Sequence, residues 1–339
     1  MTRSENIDQG TGAPAPGGPA DLDGGSWLAA ARRALQEYKA DDLQDRAAAL
    51  TYFGIQSIFP GLLVLVSLLG ILSQSATRPL ITKLSDAVPS SVHAIVKSAV
   101  SHLQNSHVAS GVLGIAGLAL ALWSASNYVA AFMRASNVIY DVPEGRPIWK
   151  TGPIRVGVTL VTMILLVAAS LIVVLTGGLA RRIGNVLGVG STIVTIWDVA
   201  KWPVLLIIAS LILAILFWAS PNARHGFRWF SPGSVIAVVL WLMASALFAA
   251  YVANFGHYNK VYGSVAGVIV FLIWMWISNV AILLGAEFDA ELERGRAVAA
   301  GHPPEQEPFA ELRDDRKLRK KRRPVLLTGS RSKPTSRPD

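Results

Sequence analysis

The sequence contains no cysteine, which rules out disulfide bridges and thiolate metal sites. It is also poor in charge. Asp, Glu, Lys and Arg make up only 16% of the 339 residues, whereas a soluble domain carries about a quarter. Its six histidines (His93, His102, His107, His225, His257 and His302) include no pair at H-x-E or H-E-x-x-H spacing, so no metal site is expected. A phosphate-binding Gly-rich loop is missing, and "GSVAG" lacks the central serine of a nucleophile elbow. No enzyme activity, cofactor or metal is expected from these residues.

What the chain has in abundance is apolar sequence. Hydrophobic residues make up 52% and the mean hydropathy is +0.44. Crossing a hydrocarbon core takes about 20 apolar residues. Six windows without any charge reach that length: Ala47–Thr77, Val108–Met133, Val156–Ala180, Trp202–Ala223, Trp229–Phe255 and Val261–Ala286. Their continuous hydrophobicity, without period-2 alternation, excludes an outer-membrane barrel. The expected fold is all-α, a polytopic bundle of six transmembrane helices.

Lys and Arg set the orientation. With six spans both termini share a side, and that side holds 24 of the basic residues against 7 on the other. Both termini are therefore expected in the cytoplasm of a bacterial cytoplasmic-membrane protein. Residues 1–26, with six Gly and three Pro, read as a disordered lead. Residues 27–295 form the membrane domain, opening with an interfacial helix at 27–39 capped by Ser26. Residues 296–339 read as a basic, disordered tail.

Local signals refine the spans. Pro60 lacks a backbone donor and is expected to interrupt the first span beside Gln56. Pro203 and Pro232 suit first helical turns, the latter capped by Ser231. Gly263 and Gly267 suggest close helix approach. The carboxylates Glu287, Asp289, Glu291 and Glu293 ring one helix as it leaves the membrane, a solvated collar offset by Arg294 and Arg296. Leu84, Val88, Val92, Ile95, Val96 and Val100 make the outer segment 78–107 amphipathic, a surface for envelope proteins.

Polar residues at membrane depth are functional candidates. Asn279 lies about 15 residues, or roughly 22 Å, from the outer end of its span, with Asn127 and Gln56 at similar depth and Arg134 at the inner interface. The outer hairpin "NFGHYNKVYGS" carries more hydrogen-bonding side chains than turning requires, among them Asn254, Tyr258 and Asn259. Together these seven residues trace a candidate substrate path; interhelical glue is the competing reading. In the tail, Arg319, Lys320, Lys321, Arg322 and Arg323 form a cluster suited to anionic lipid headgroups, at about 1 kcal/mol per residue. Membrane lipids are the expected partners, and nucleic acid is not.

Four stretches also carry a family resemblance: "RAAALTYFGIQSIFPGLL", "LWSASNYVAAFMRASNVIYDVPEGRPIWK", "SPNARHGFRWFSPGSV" and "YVANFGHYNKVYGSVAGVIVFLIWMWISNVAILLGAEFDAELER". In this order the chain resembles the YihY/BrkB family of bacterial inner-membrane proteins over roughly residues 30 to 295. The resemblance implies six spans. Members carry both ribonuclease and virulence-factor labels, and some are linked to movement of lipids or envelope precursors. The nuclease label needs His and Asp clusters absent from this sequence. Phe288-Asp289 stands where relatives often have Leu-Asn, so no role of that Asn carries over. The expectation is a translocation factor for an amphipathic envelope molecule, most plausibly a lipid, with a non-transporting membrane scaffold as the alternative.

Overall fold

The computed structural model describes residues 24–72, 112–174, 191–224, 226, 229, 231–254 and 264–320. Seven helices account for most of them: α1 (Gly24–Ala40), α2 (Leu43–Leu72), α3 (Val112–Ile139), α4 (Ile148–Val174), α5 (Ser191–Ala219), α6 (Pro232–Asn254) and α7 (Ser264–Ala299). Each of the six charge-free windows falls on one of α2 to α7. Among the described residues, four helices are long and apolar enough to cross a membrane: α4, α5, α6 and α7.

Their outer faces look like lipid-facing surface rather than water-facing surface. Leu160, Ile164 and Leu166 on α4, Ile207 on α5, Leu247 on α6 and Phe271 on α7 are all exposed. Water would penalise that much apolar area, whereas acyl chains do not.

α2 packs along α3 and α6 along α7, while α1 lies across α7 and α4 bridges α3 to α5. The main core gathers at one end of the bundle, hereafter the polar end, where α2, α4 and α6 begin and α3, α5 and α7 finish. Leu43, Leu50, Phe132, Phe217 and Leu283 are buried there, and Phe132 stacks on Phe217 at 6.0 Å. Helices α6 and α7 approach most closely through glycine. A Cβ on Gly285 would sit 2.5 Å from the Gly233 carbonyl oxygen and 2.5 Å from Ala237 Cβ. The Gly263–Gly267 approach expected from sequence lies partly outside the described residues.

Several local expectations need correction. α2 is one continuous helix from Leu43 to Leu72, so Pro60 does not end it. Pro203 lies inside α5, which starts twelve residues earlier at Ser191. Lys201, which marked the start of the apolar window, pairs with Asp198 at 3.0 Å one turn before it, so the helix extends past its apolar portion. α1 begins at Gly24, ahead of Ser26. It packs Ala30 and Ala34 against Phe288 and Leu292, leaving Leu28 and Leu35 exposed. Ser231 caps α6 as expected, its Oγ accepting from the Ser234 amide at 3.0 Å.

The tail boundary at 296 falls inside α7. That helix ends at Ala299 with Gly301 at φ 98°, and the His302 amide donates back to the Ala297 carbonyl, a Schellman turn. Residues 310–320 then return to the polar end and dock. Residues 321–339 of the tail expected to be disordered lie outside the described residues, as do residues 1–23.

Candidate functional site

The polar end is built on buried hydrogen bonds. α3 stops because Asp141 adopts φ 51°, while the amides of Asp141 and Val142 donate to the carbonyls of Val138 and Asn137. Asp tolerates the left-handed region that glycine usually fills there. The turn delivers Glu144 and Arg146. Arg146 is 2% exposed. Its Nε and Nη2 hold both Glu144 oxygens at 2.9 and 2.7 Å, and Nη2 also donates to the Ser220 carbonyl at 2.7 Å. A guanidinium thus satisfies carbonyls left open at the end of α5. Burial alone would raise the Glu144 carboxyl, but Arg146 and the Asn137 amide hold it below the usual carboxylate range.

Asn222 locks the tail onto this turn. Its Nδ2 donates to the carbonyls of Pro143 (3.0 Å) and Asp314 (2.9 Å), and its Oδ1 accepts from the Asp314 amide (3.1 Å). The Asn222 amide itself donates to Asn137 Oδ1 at 2.7 Å. Lys150 pairs with Asp314 at 2.6 Å and holds its carboxyl below the usual range. The stretches "IYDVPEGRP" and "SPNAR" are therefore the two halves of one junction.

Beside the junction lies a cleft of about 310 Å³ between the ends of α5 and α7 and the start of α6. Its inner wall is apolar, formed by Ala214, Phe217, Pro232 and Leu292, and its rim carries Trp218, Arg224, Asp289, Glu293 and Arg296. Asp289 is committed to α6, where it accepts from the Gly233 amide at 2.7 Å. Arg296 pairs with Glu293 at 2.6 Å, yet its buried Nε has no partner among the described residues. The Arg224–Glu311 pair is long, at 3.4 Å, and well exposed, so it holds Arg224 weakly. An amphipathic anion suits this arrangement: acyl carbons against the wall, negative charge at the rim.

On the opposite side of α7, Glu37, Asp41, Asp141, Glu287 and Glu291 line a smaller cavity. This corrects the solvated collar. Glu287 is 1% exposed and Glu291 5%, because α1 and the turn after α3 cover the face of α7 they share. A helical wheel drawn on α7 alone cannot show that cover. The one signal in the sequence was the four-residue spacing of Glu287 and Glu291.

Of the seven path residues, Gln56, Asn127, Arg134 and Asn279 have described side chains, and none of the four lines either cavity. Asn279 is 3% exposed, accepts from the Tyr128 hydroxyl at 2.8 Å and donates to Thr51 Oγ1 at 3.0 Å. It ties α7 to α3 and α2 without lining either cavity. Gln56 and Arg134 are exposed; the Gln56 carbonyl accepts from Ser124 Oγ at 3.0 Å, and the Arg134 guanidinium lies 5.9 Å from the Phe53 ring centre. Asn127 is half-buried. The Asn254 side chain, Tyr258 and Asn259 lie outside the described residues, as do Lys321, Arg322, Arg323 and the segment 78–107. Arg319 and Lys320 are exposed, Arg319 pairing with Asp315 at 2.6 Å.

Comparison with known proteins agrees with this architecture. The family model described as virulence factor BrkB matches residues 34–310. A ribonuclease-like protein, YfkH, of Bacillus subtilis is 29% identical over 79% of this chain and 97% of its own length. A UPF0761 membrane protein of Alteromonas mediterranea is 27% identical over 81% of the chain and 91% of its own. One from Alkalilimnicola ehrlichii is 27% identical over 83% of the chain, which spans 64% of that relative. No solved structure matches. The chain is a membrane protein and belongs to the BrkB virulence-factor family.

Proposed function

We propose that the protein crosses the bacterial cytoplasmic membrane six times, with both termini and the polar end in the cytoplasm, and binds and moves an anionic amphipathic envelope lipid. The carrying observation is the cleft of about 310 Å³, with an apolar wall opening on Arg224 and Arg296. It sits at the end where α4, α5, α6 and α7 leave their apolar portions, at headgroup level in this orientation. Trp149, Trp218 and Trp229 are exposed at the same end, as an interfacial aromatic belt requires. The sequence runs the candidate path from Asn254, Tyr258 and Asn259 through Gln56, Asn127 and Asn279 to Arg134; in this reading the headgroup site is the cleft.

Nuclease chemistry is left out of this reading. Among the described residues no group of three His, Cys, Asp or Glu is placed to hold a metal ion.

The test is translocation of a fluorescent anionic phospholipid by the full chain in proteoliposomes. Protein-dependent movement, weakened at least tenfold in Arg296→Gln and Arg224→Glu, is the expected result. Folded protein that neither moves nor binds the lipid rejects the reading. That outcome favours the membrane scaffold, which the burial of Asn279 between three helices supports. Topology is tested separately: cysteines introduced at Ala20 and Ser330 should resist an impermeant reagent outside intact cells, with no native thiol to interfere.

A further inference from the structure

The arginines of the polar end, among them Arg33, Arg146 and Arg296, have carboxylate partners. Arg155 has none among the described residues. It belongs to α4, one of the helices apolar enough to cross a membrane, and directly precedes that helix's charge-free window. Its guanidinium is turned along the seam between α3 and α4 to Trp123, 5.2 Å from the ring centre. An indole ring attracts the cation through its face but offers no lone pair to its N–H donors. Arg155 Nε is buried without a partner, and the side chain makes no other hydrogen bond or ion pair among the described residues.

Depth makes this costly. Phe132 of α3 stacks on Phe217, the neighbour of Trp218 in the aromatic belt. Trp123 comes nine residues before Phe132, roughly 14 Å further into the hydrocarbon at 1.5 Å per residue, in a core about 30 Å thick. A snorkelling arginine would point the other way, toward the exposed Trp149 at the start of α4. An unpaired charge at this depth marks a functional position by default. A second orphan lies on the same stripe of α4, where residues 155, 159 and 162 follow i, i+4, i+7 spacing. Thr159 donates its hydroxyl back to the Arg155 carbonyl at 2.7 Å, and Ser170 does the same to Leu166. Thr162 Oγ1 is buried yet has no partner among the described residues. Leu120 and Trp123, one turn apart on α3, are exposed, so the seam opens sideways onto acyl chains.

We propose that Arg155, with the Thr162 hydroxyl beyond it, binds a phosphate group inside the membrane, as a mid-depth station for an anionic phospholipid. The guanidinium presents paired N–H donors in the geometry of phosphate oxygens. The Thr162 hydroxyl supplies a further donor, and the exposed flank of α3 lies against the lipid's acyl carbons. This deepens the lipid reading and rests on it for the source of the phosphate, since the same donors suit inorganic phosphate. It does not depend on the cleft at the polar end.

The experiment is photocross-linking of the purified full chain, in micelles of an uncharged detergent, to an anionic phospholipid carrying a diazirine on its headgroup. Adducts are mapped by peptide mass spectrometry. A diacylglycerol probe with the same label but no phosphate is the baseline. The native chain should give phosphate-dependent adducts on the seam peptides around Trp123 and Arg155. Arg155→Gln should lower these by about tenfold, leave adducts at the cleft unchanged and, having shed an unpaired charge, unfold at no lower a temperature. Should that variant fail to fold, Thr162→Val must lower the seam adducts several-fold. A native chain that cross-links at the cleft but not at the seam overturns the mid-depth site alone; no adduct at either place overturns the lipid reading with it. Seam adducts that survive Arg155→Gln overturn the role of Arg155. Loss of the native seam adducts on adding inorganic phosphate assigns the site to the free ion and overturns the lipid as its occupant.

Discussion

Replacing Asn222 with Ala should loosen the polar end far more than removal of a loop side chain suggests. Asn222 is fully buried, and its amide makes three bonds, to the Pro143 carbonyl and to the carbonyl and amide of Asp314. Truncation leaves those backbone groups without partners where water reaches them poorly. At about 1 kcal/mol per lost bond, the cost is roughly 3 kcal/mol. For a chain of this size that lowers the unfolding midpoint by about 4–6 °C. A local readout separates the tail from general weakening: trypsin should cut at Arg313, Arg316 and Lys317 much faster in the variant. Two of the three bonds reach Asp314, so in a chain shortened after Ala310 the same substitution should cost only about 1 kcal/mol. An unchanged midpoint with unchanged tryptic cutting refutes the lock. A full-sized loss in the shortened chain refutes its attribution to the tail.

Other substitutions probe the bundle. Asn279→Leu should cost about 1 kcal/mol for two interhelical bonds and leave lipid movement intact; lost transport at an unchanged midpoint would return Asn279 to the substrate path. Gly285→Ala drives a methyl into the Gly233 backbone and should destabilise by about 1–3 kcal/mol. Gly54→Ala meets only the mobile end of Met275, at 2.7 Å, and should be nearly neutral in the same unfolding assay. Asp41 and Asp141 are raised from 3.8 to about 6 on folding, so folding favours their protonated forms. Stability from this source is complete below about pH 4 and is lost as pH rises through about 6. Asp141→Asn should flatten the fall in midpoint across that window; an unaltered pH profile would show that the group does not titrate as its surroundings require.

Helix existence was legible because the membrane demands long charge-free segments, and each such window became a helix. Helix ends were less so. Lys201 reads as a boundary in hydropathy, but pairing with Asp198 and stacking on Trp202 at 5.7 Å let α5 run through it. Ser231 was found because capping is local chemistry. The partners of Asn137 lie at Glu144 and Asn222, 7 and 85 positions away, and no spacing rule connects them. The docked segment 310–320 was hidden for a related reason. Its basic composition signals solvation, whereas Asp314 pairs with Lys150, Arg313 donates to the Trp218 carbonyl at 2.9 Å, and the backbone bonds Asn222 and Arg224. Burial of Glu287 likewise depends on α1 folding back over α7.

The contacts between α6 and α7 bear on how the bundle can move. Trp241 Nε1 donates to Ser278 Oγ and Trp274 Nε1 to Ser245 Oγ, both at 3.1 Å, so each helix gives a donor to the other. The glycine crossing and the Asp289 cap fix the same pair at the polar end. A slide of one residue, about 1.5 Å, would break both tryptophan bonds and drive Cβ atoms into backbone. Helices α6 and α7 thus behave as a single beam of fixed register. Any relative movement of helices within the bundle must therefore be hinged elsewhere than between α6 and α7.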